Sequence, residues 1–504
     1  MNRSLISISF HRYLIPTLIS YMVGSINGVV DAAIVGNIIG EQGLSVVNMC
    51  MPLNVLIITL MTVCFVGASI ITSRSIAADE RETTTGVFTT ATVLTLALSL
   101  VVCVAGLLNI DAIAAVLCHQ PELRPDVTEY ARVMIIALPV MTMCGGLATM
   151  VKTDSSPRLV TTAVIIAGSI NTVLDYVFIK YLHTGVVGSA WAGATGFAVS
   201  LCVCCIHFTF KRSHLRFSRV MPPAGWREML MLGLPMTIQQ LCNAARATVI
   251  NGMVEDTIGT HGEAILMLFI NFAVIGGVFF SGVNQVMQII NSSTIGCSDR
   301  RGYAIALRHA VLYIGVGVGV VATLIMLFPL KVAAIFGFDS EADIAMNIRQ
   351  LAPTLVLMAA NFTLMSIYQI TGRTRIAIVI SLMQTLMALP VMVMILRVSP
   401  ENFCLSFPIS EGITLAVILA MHRSVSPKWT VESENTYRLT ANAIPDDLPQ
   451  YIVDESREAA GWKLLEATVR THSDGSVTTL IRHNGSHTED YTYAINLHQR
   501  VLRQ

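Results

Sequence analysis

A chain that runs apolar for the width of a bilayer, over and over, has few folds open to it. Here about twelve stretches do so, at 13–36, 44–72, 86–108, 129–151, 158–182, 188–211, 228–254, 264–292, 304–328, 346–371, 375–397 and 402–421. Each has about the 20 residues that a helix needs to cross hydrocarbon. In lipid the backbone must satisfy its own hydrogen bonds, so runs of this length read as helices. The expected fold is an all-α membrane protein with twelve transmembrane helices in two six-helix bundles, followed by a small soluble tail. Composition agrees: 54% of the residues are hydrophobic and 13% charged, too little polar surface for a soluble protein. Lys plus Arg equals Asp plus Glu at 32 each, so no nucleic-acid partner is expected. Eleven cysteines lie mostly in apolar runs and read as small buried hydrophobes, not a disulfide framework. The C-x-x-C at Cys202–Cys205 reads as packing rather than a zinc site, since no further ligands are evident. Arg3 and Arg12 lead into a full-length span, so no cleavable leader is expected.

Cations set the orientation. The loop 207–227 carries Lys211, Arg212, Arg216, Arg219 and Arg227. Arg74 and Arg81, Arg300 to Arg308, and Arg373 with Arg375 mark three more loops that fall on the same side as the N-terminus. Both termini are therefore expected in the cytoplasm, with the protein in the plasma (inner) membrane.

The chain also repeats. G-N-I-I-G-E-Q-G-L after the first span aligns with E-D-T-I-G-T-H-G-E after the seventh, pairing Gly40 with Gly259 and Gly43 with Gly262. The same offset pairs Pro16 with Pro235 and Arg81 with Arg300. Two halves of six spans share an orientation, so an axis along the membrane normal should relate them. The expected division is a first bundle over 1–211, a basic cytoplasmic linker over 212–227, a second bundle over 228–422 and a soluble tail over 423–504.

Charges inside the spans mark the candidate chemistry, because burying one in hydrocarbon is expensive. Asp31 lies deep in the first span, and Asn27 shares its helix face one turn earlier. Asn171 and Asp175 share a face of the fifth span. Two carboxylates and two amides brought together suit the uptake and release of a proton, since neighbouring carboxylates cannot both stay ionised cheaply. The same oxygens suit Na⁺. The alternative is a helix-to-helix hydrogen-bonding role. In the second half, Arg246 is an intramembrane cation three residues after Asn243; a cavity role and a structural pairing weigh evenly. Gln239, Asn243, Arg246 and Gln288 are the candidate substrate-cavity residues. No metal site, cofactor or enzymatic activity is expected, and the absence of G-x-x-x-x-G-K-[ST] argues against an ATP-driven pump.

Several motifs carry a family resemblance. P-T-L-I and V-V-D-A-A-I-V-G of the first span, K-T-D-S-S-P-R after the fourth (Asp154, Pro157), I-N-T-V-L-D-Y-V-F-I of the fifth (Asn171, Asp175) and Y-Q-I-T-G-R-T-R after the tenth resemble the corresponding motifs of the multidrug and toxic compound extrusion (MATE) family. They fall within residues 10–422. The resemblance implies a monomeric antiporter, coupled to H⁺ or Na⁺, that exports organic cations or amphipathic drugs by alternating access. It implies a cation site at Asp31, Asn171 and Asp175, and no partners beyond a small organic substrate and membrane lipid. Two departures stand out: Gly193 where the family commonly has Thr, and Asn243 where some members carry Glu. The second implies that the C-terminal half lacks an acidic site. A lipid-linked oligosaccharide flippase of the same superfamily, or a membrane sensor signalling through the tail, are the competing expectations.

The tail changes character. Asp447–Trp462 reads as a helix, and 476–482 and 491–497 alternate like strands. L-I-R-H-N-G is faintly similar to a phosphate-site motif of histidine-kinase-like ATPases, with His483 in place of its Asp. A small cytoplasmic α+β or regulatory appendage is the expectation, with a degenerate relative of that ATPase fold as the alternative.

Overall fold

The apolar runs become long helices in the computed structural model. It describes residues 5–499 apart from 78–79, 119–121, 210–212, 222, 259, 297–298, 332–341, 421–430, 440–463, 473–476 and 485–494. The helices are α1 (Leu5–Ile38), α2 (Glu41–Met49), α3 (Met51–Ala77), α4 (Arg81–Leu108), α5 (Ile110–Leu117), α6 (Arg124–Thr153), α7 (Pro157–Tyr176) and α8 (Val186–Cys205) in the first half. In the second they are α9 (Pro223–Ile258), α10 (Thr260–Gly296), α11 (Arg300–Leu327), α12 (Ala342–Ile370), α13 (Thr374–Val398) and α14 (Ser406–Ala420). Among the described residues, eleven helical segments are long and apolar enough to cross a bilayer. The remaining expected span is α9, which has the length at 36 residues but interrupts its apolar surface with Gln239, Gln240, Asn243, Arg246 and Asn251. It packs within the bundle against α3 and α13.

The main packings of the first half have counterparts in the second. α1 packs on α7 as α9 packs on α13, α3 on α6 as α10 on α12, α4 on α6 as α11 on α12, and α7 on α8 as α13 on α14. The repeat offset that takes Arg81 to Arg300 also takes the end of α4 to the end of α11. Chemistry repeats with it. The Pro16 carbonyl of α1 accepts from the hydroxyl of Thr161 on α7 at 2.8 Å; the Pro235 carbonyl of α9 accepts from that of Ser381 on α13 at 3.0 Å.

The halves join through α3 with α9, α1 with α10, and α3 with α10. Glycines set the closest approach. A Cβ on Gly67 would sit 1.8 Å from the Met229 carbonyl oxygen, and one on Gly233 would sit 2.3 Å from that of Val63. Backbone-to-backbone contact of this kind is how membrane helices associate where no hydrophobic force separates protein from lipid. Nearby, Thr62 Oγ1 meets Thr237 Oγ1 at 3.3 Å, the Arg74 guanidinium donates to the Ile370 carbonyl, and buried Lys152 donates to Gln285 Oε1 at 2.9 Å. All of these lie toward the end where α1 and α9 begin. Further along, Met22, Ile26 and Val29 of α1 and Leu241 and Val249 of α9 are exposed, and Gly24, Gly28 and Gly252 have open space around them.

In the tail, β1 (Val431–Leu439), β2 (Leu464–His472), β3 (Val477–Asn484) and β4 (Ile495–Gln499) form an antiparallel meander in chain order. β3 and β4 overlap the two expected strands. His483 is in β3 opposite Leu465, inside that ladder. The helix expected over 447–462 lies outside the described residues.

Candidate functional site

α1 and α7 carry the acidic cluster, and their mutual packing brings it together. Asn27 Nδ2 lies 3.4 Å from Asp31 Oδ2 within α1 and 2.7 Å from Asn171 Oδ1 across to α7. Thr172 Oγ1 donates to Asn27 Oδ1 at 3.2 Å. Asn171 stands between the two acids. In one orientation its amide nitrogen donates to Asp175 Oδ2 at 3.4 Å. Turned over, the amide puts its nitrogen 3.0 and 3.1 Å from the Asp31 oxygens and its oxygen 3.1 Å from the Gly193 N–H. α8 thus meets Asn171 at Gly193 and at Gly196, where an added Cβ would lie 3.1 Å from Asn171 Cβ. Asp175 is fully buried and Asn171 nearly so, and Asp31 and Asp175 are close enough to interact directly. One residue after Asp175–Tyr176 the helix widens into a π turn, Val177–Tyr181, a local irregularity often found beside functional positions. The arrangement offers two carboxyl groups and two amide oxygens around one point, which suits a proton or a small hard cation.

The second half holds a different network. Arg246 Nη1 donates to Glu411 Oε1 at 3.2 Å, and Nη2 to Asn243 Oδ1 at 3.3 Å. Glu411, on α14, is 2% exposed. Its other oxygen accepts from Asn361 Nδ2 at 2.8 Å and Gln384 Nε2 at 3.1 Å. Gln239 Nε2 in turn donates to Gln384 Oε1 at 3.0 Å. The expectation that this half lacks an acid is therefore corrected: α9 has Asn243 at the position in question, but Glu411 supplies an acid from α14. A cavity of about 530 Å³ adjoins the network between α9, α10, α12, α13 and α14. Gln239, Asn243 and Arg246 line it; Gln288 does not. Gln288 is buried elsewhere on α10, where its amide nitrogen has no hydrogen-bond partner among the described residues.

Asp154 has a third role. It caps α6, and the linker between the halves folds onto it. Oδ2 lies 2.7 Å from His207 Nε2 and accepts from Ser213 Oγ at 3.1 Å and the His214 backbone N–H at 2.9 Å. Oδ1 lies 2.7 Å from His214 Nδ1. Burial alone would raise its pKa, but hydrogen bonds from the two imidazoles hold it at about 2. The linker is fastened again where Thr89 and Thr90 accept from the backbone N–H groups of Ser218 and Met221. Asp154 is thus an anchor for the linker, set apart from the acidic cluster.

Residues 16–177 match the MatE family model. The chain is 20% identical to the multidrug export protein MepA of Staphylococcus haemolyticus, over 76% of this chain and 85% of that one. It is 24% identical to a probable multidrug resistance protein, YoeA, of Bacillus subtilis, over 46% and 52%. Among solved structures, an outward-facing conformation of a multidrug resistance MATE family transporter superposes with a TM-score of 0.75 at 20% identity, covering 84% of this chain and 98% of that one. A MOP superfamily transporter from Pyrococcus furiosus superposes at 0.76 and 20% identity, covering 83% and 95%.

Proposed function

We propose, from the premise that this chain carries a MatE domain and the twelve-helix fold of the MATE transporters, that it is a cation-coupled exporter of organic cations or amphipathic compounds. The observation that carries this reading is the acidic cluster: Asp31 and Asp175 linked through the amides of Asn27 and Asn171. A carboxyl pair so placed titrates as a unit. Binding an inward-moving H⁺ or Na⁺ there changes its charge, and α1, which carries half of it, also packs on α10 of the other half. A change in how α1 sits therefore reaches the junction between the halves. With both termini in the cytoplasm of a plasma-membrane protein, the joined end is the inner one, and this conformation faces outward.

The test is efflux from proteoliposomes with H⁺ and Na⁺ gradients imposed separately. Asp31→Asn keeps the shape of the side chain and removes its change of charge. Gradient-driven efflux should be abolished while insertion is preserved, and Asp175→Asn should behave in the same way. Wild-type rates in both variants would refute the assignment.

A further inference from the structure

The offset that relates the halves takes Asn27 to Arg246 and Asp31 to Ile250. Equivalent helices thus carry opposite chemistry: an acid with an amide on α1, a guanidinium with a hydrocarbon on α9. Arg246 is the charged residue among those lining the second-half cavity. Around it are the amides of Gln239, Gln240 and Asn251, and an apolar wall that includes Phe269, Phe280 and Phe362. Glu411 does not line the cavity. Its two oxygens are taken by Arg246, Asn361 and Gln384, so among the described residues an organic cation entering the cavity meets no carboxylate there. Arg246 is placed differently. A guanidinium has five N–H donors, and Glu411 and Asn243 engage two of them. The pair is therefore lopsided: a satisfied anion behind the wall and an under-used cation in it.

We propose that this cavity binds an organic carboxylate, the head group of an anionic or zwitterionic amphiphile, on Arg246, with its apolar body against the phenylalanines. Glu411 is a positioning residue: it fixes the fork of Arg246 and neutralises it when no ligand is bound. A guanidinium fork matches a carboxylate in two parallel hydrogen bonds, and pockets for small molecules combine an apolar wall with a few such polar anchors. The proposal deepens the exporter reading by naming a substrate class, but binding is measured without a gradient, so it stands or falls separately from coupling.

The experiment uses the full chain in nanodiscs and three probes of one shape: 1-naphthylacetate, its neutral amide 1-naphthylacetamide, and the cation 2-(1-naphthyl)ethylamine. The carboxylate should bind at least tenfold more tightly than the amide, and the amine more weakly than either. R246Q/E411Q removes both charges and strands neither; it should bind acid and amide alike. E411Q leaves Arg246 without its counter-charge, which the ligand then supplies, so carboxylate affinity should rise severalfold. A purely structural pair would instead lose binding in E411Q. Equal binding of acid and amide by the wild type, preference for the amine, no carboxylate binding, or an acid preference that survives in R246Q/E411Q would each overturn the proposal. Weaker carboxylate binding in E411Q would overturn the role given to Glu411.

Discussion

Gly67→Ala should part the two halves at their joined end. The added Cβ would lie 1.8 Å from the Met229 carbonyl oxygen and 3.0 Å from the Gly233 nitrogen. Both are backbone atoms, which no rotamer change can move aside. Restoring ordinary contact requires α3 and α9 to separate by about 1.5 Å. Overpacking of this kind costs about 1–3 kcal/mol, and the cost falls only on the conformation in which the helices touch. The gain in helix propensity from Gly to Ala, about 1 kcal/mol, is the same in both conformations and cancels. The equilibrium between joined and parted halves should therefore shift about 5- to 150-fold toward parting. The reporter is Ser292→Cys in a background without native cysteines. Ser292 is fully buried and lies one turn before Gly296, which abuts the Arg74 carbonyl of α3. Its labelling by a water-soluble maleimide should accelerate in Gly67→Ala. Gly24→Ala, with nothing within 4 Å of the new methyl, is the control. Labelling rates that agree within twofold between the two would show that the glycine contact does not hold the joined state.

Other outcomes follow from the polar networks. Glu411→Ala strands the Arg246 charge and the Gln384 amide nitrogen, while Asn361 keeps the backbone carbonyl of residue 411. The substitution should lower stability by about 3–5 kcal/mol. R246Q/E411Q should lose less than half as much, measured by thermal unfolding in detergent; equal losses would mean that the pair is not the source of the effect. Asp154 has its pKa lowered from 3.8 to about 2, so its stabilising contribution, about 2 kcal/mol, is complete above about pH 4 and fades as pH falls toward about 2. Asp154→Asn should flatten the stability profile across that window and free the linker at Ser213–Leu215 to exchange its amide hydrogens; a profile parallel to the wild type would refute the anchoring role.

The fold and the family resemblance were legible because their signals are local. Apolar runs give the spans, and a repeated offset joins Pro16 to Pro235 and Arg81 to Arg300 without any knowledge of contacts. The acidic cluster was legible for the same reason: Asn27 with Asp31, and Asn171 with Asp175, are each one helical turn apart, so each pair announces its shared face. Glu411 was not. It is the lone acid of its span and lies 165 residues from Arg246, and no spacing rule connects α14 to α9. A signal was nevertheless present. One acid and one base, both well inside spans of the same half, are each too costly alone in lipid, and pairing is the ordinary resolution. Gln288 failed in the opposite sense: an amide on an apolar helix says only that it wants a partner, not which side of the helix the cavity is on.

The two halves therefore keep one architecture and divide the chemistry. In the first, the acids have amides for neighbours and no cation in hydrogen-bonding contact among the described residues, so a mobile cation is what the site lacks. In the second, Glu411 already has its cation, so a mobile cation has nothing to gain there without displacing Arg246. This asymmetry bears on Asn243. Its loss should leave coupling nearly intact, not because the second half has no acid but because that acid is already neutralised. What Asn243→Ala removes is the 3.3 Å bond that steadies the Arg246 fork. Its effect should therefore appear as weaker discrimination between carboxylate and amide probes, with gradient-driven efflux of an amphipathic substrate that lacks a carboxylate close to wild type. Loss of that efflux in Asn243→Ala would place the coupling chemistry in the second half and reverse the division.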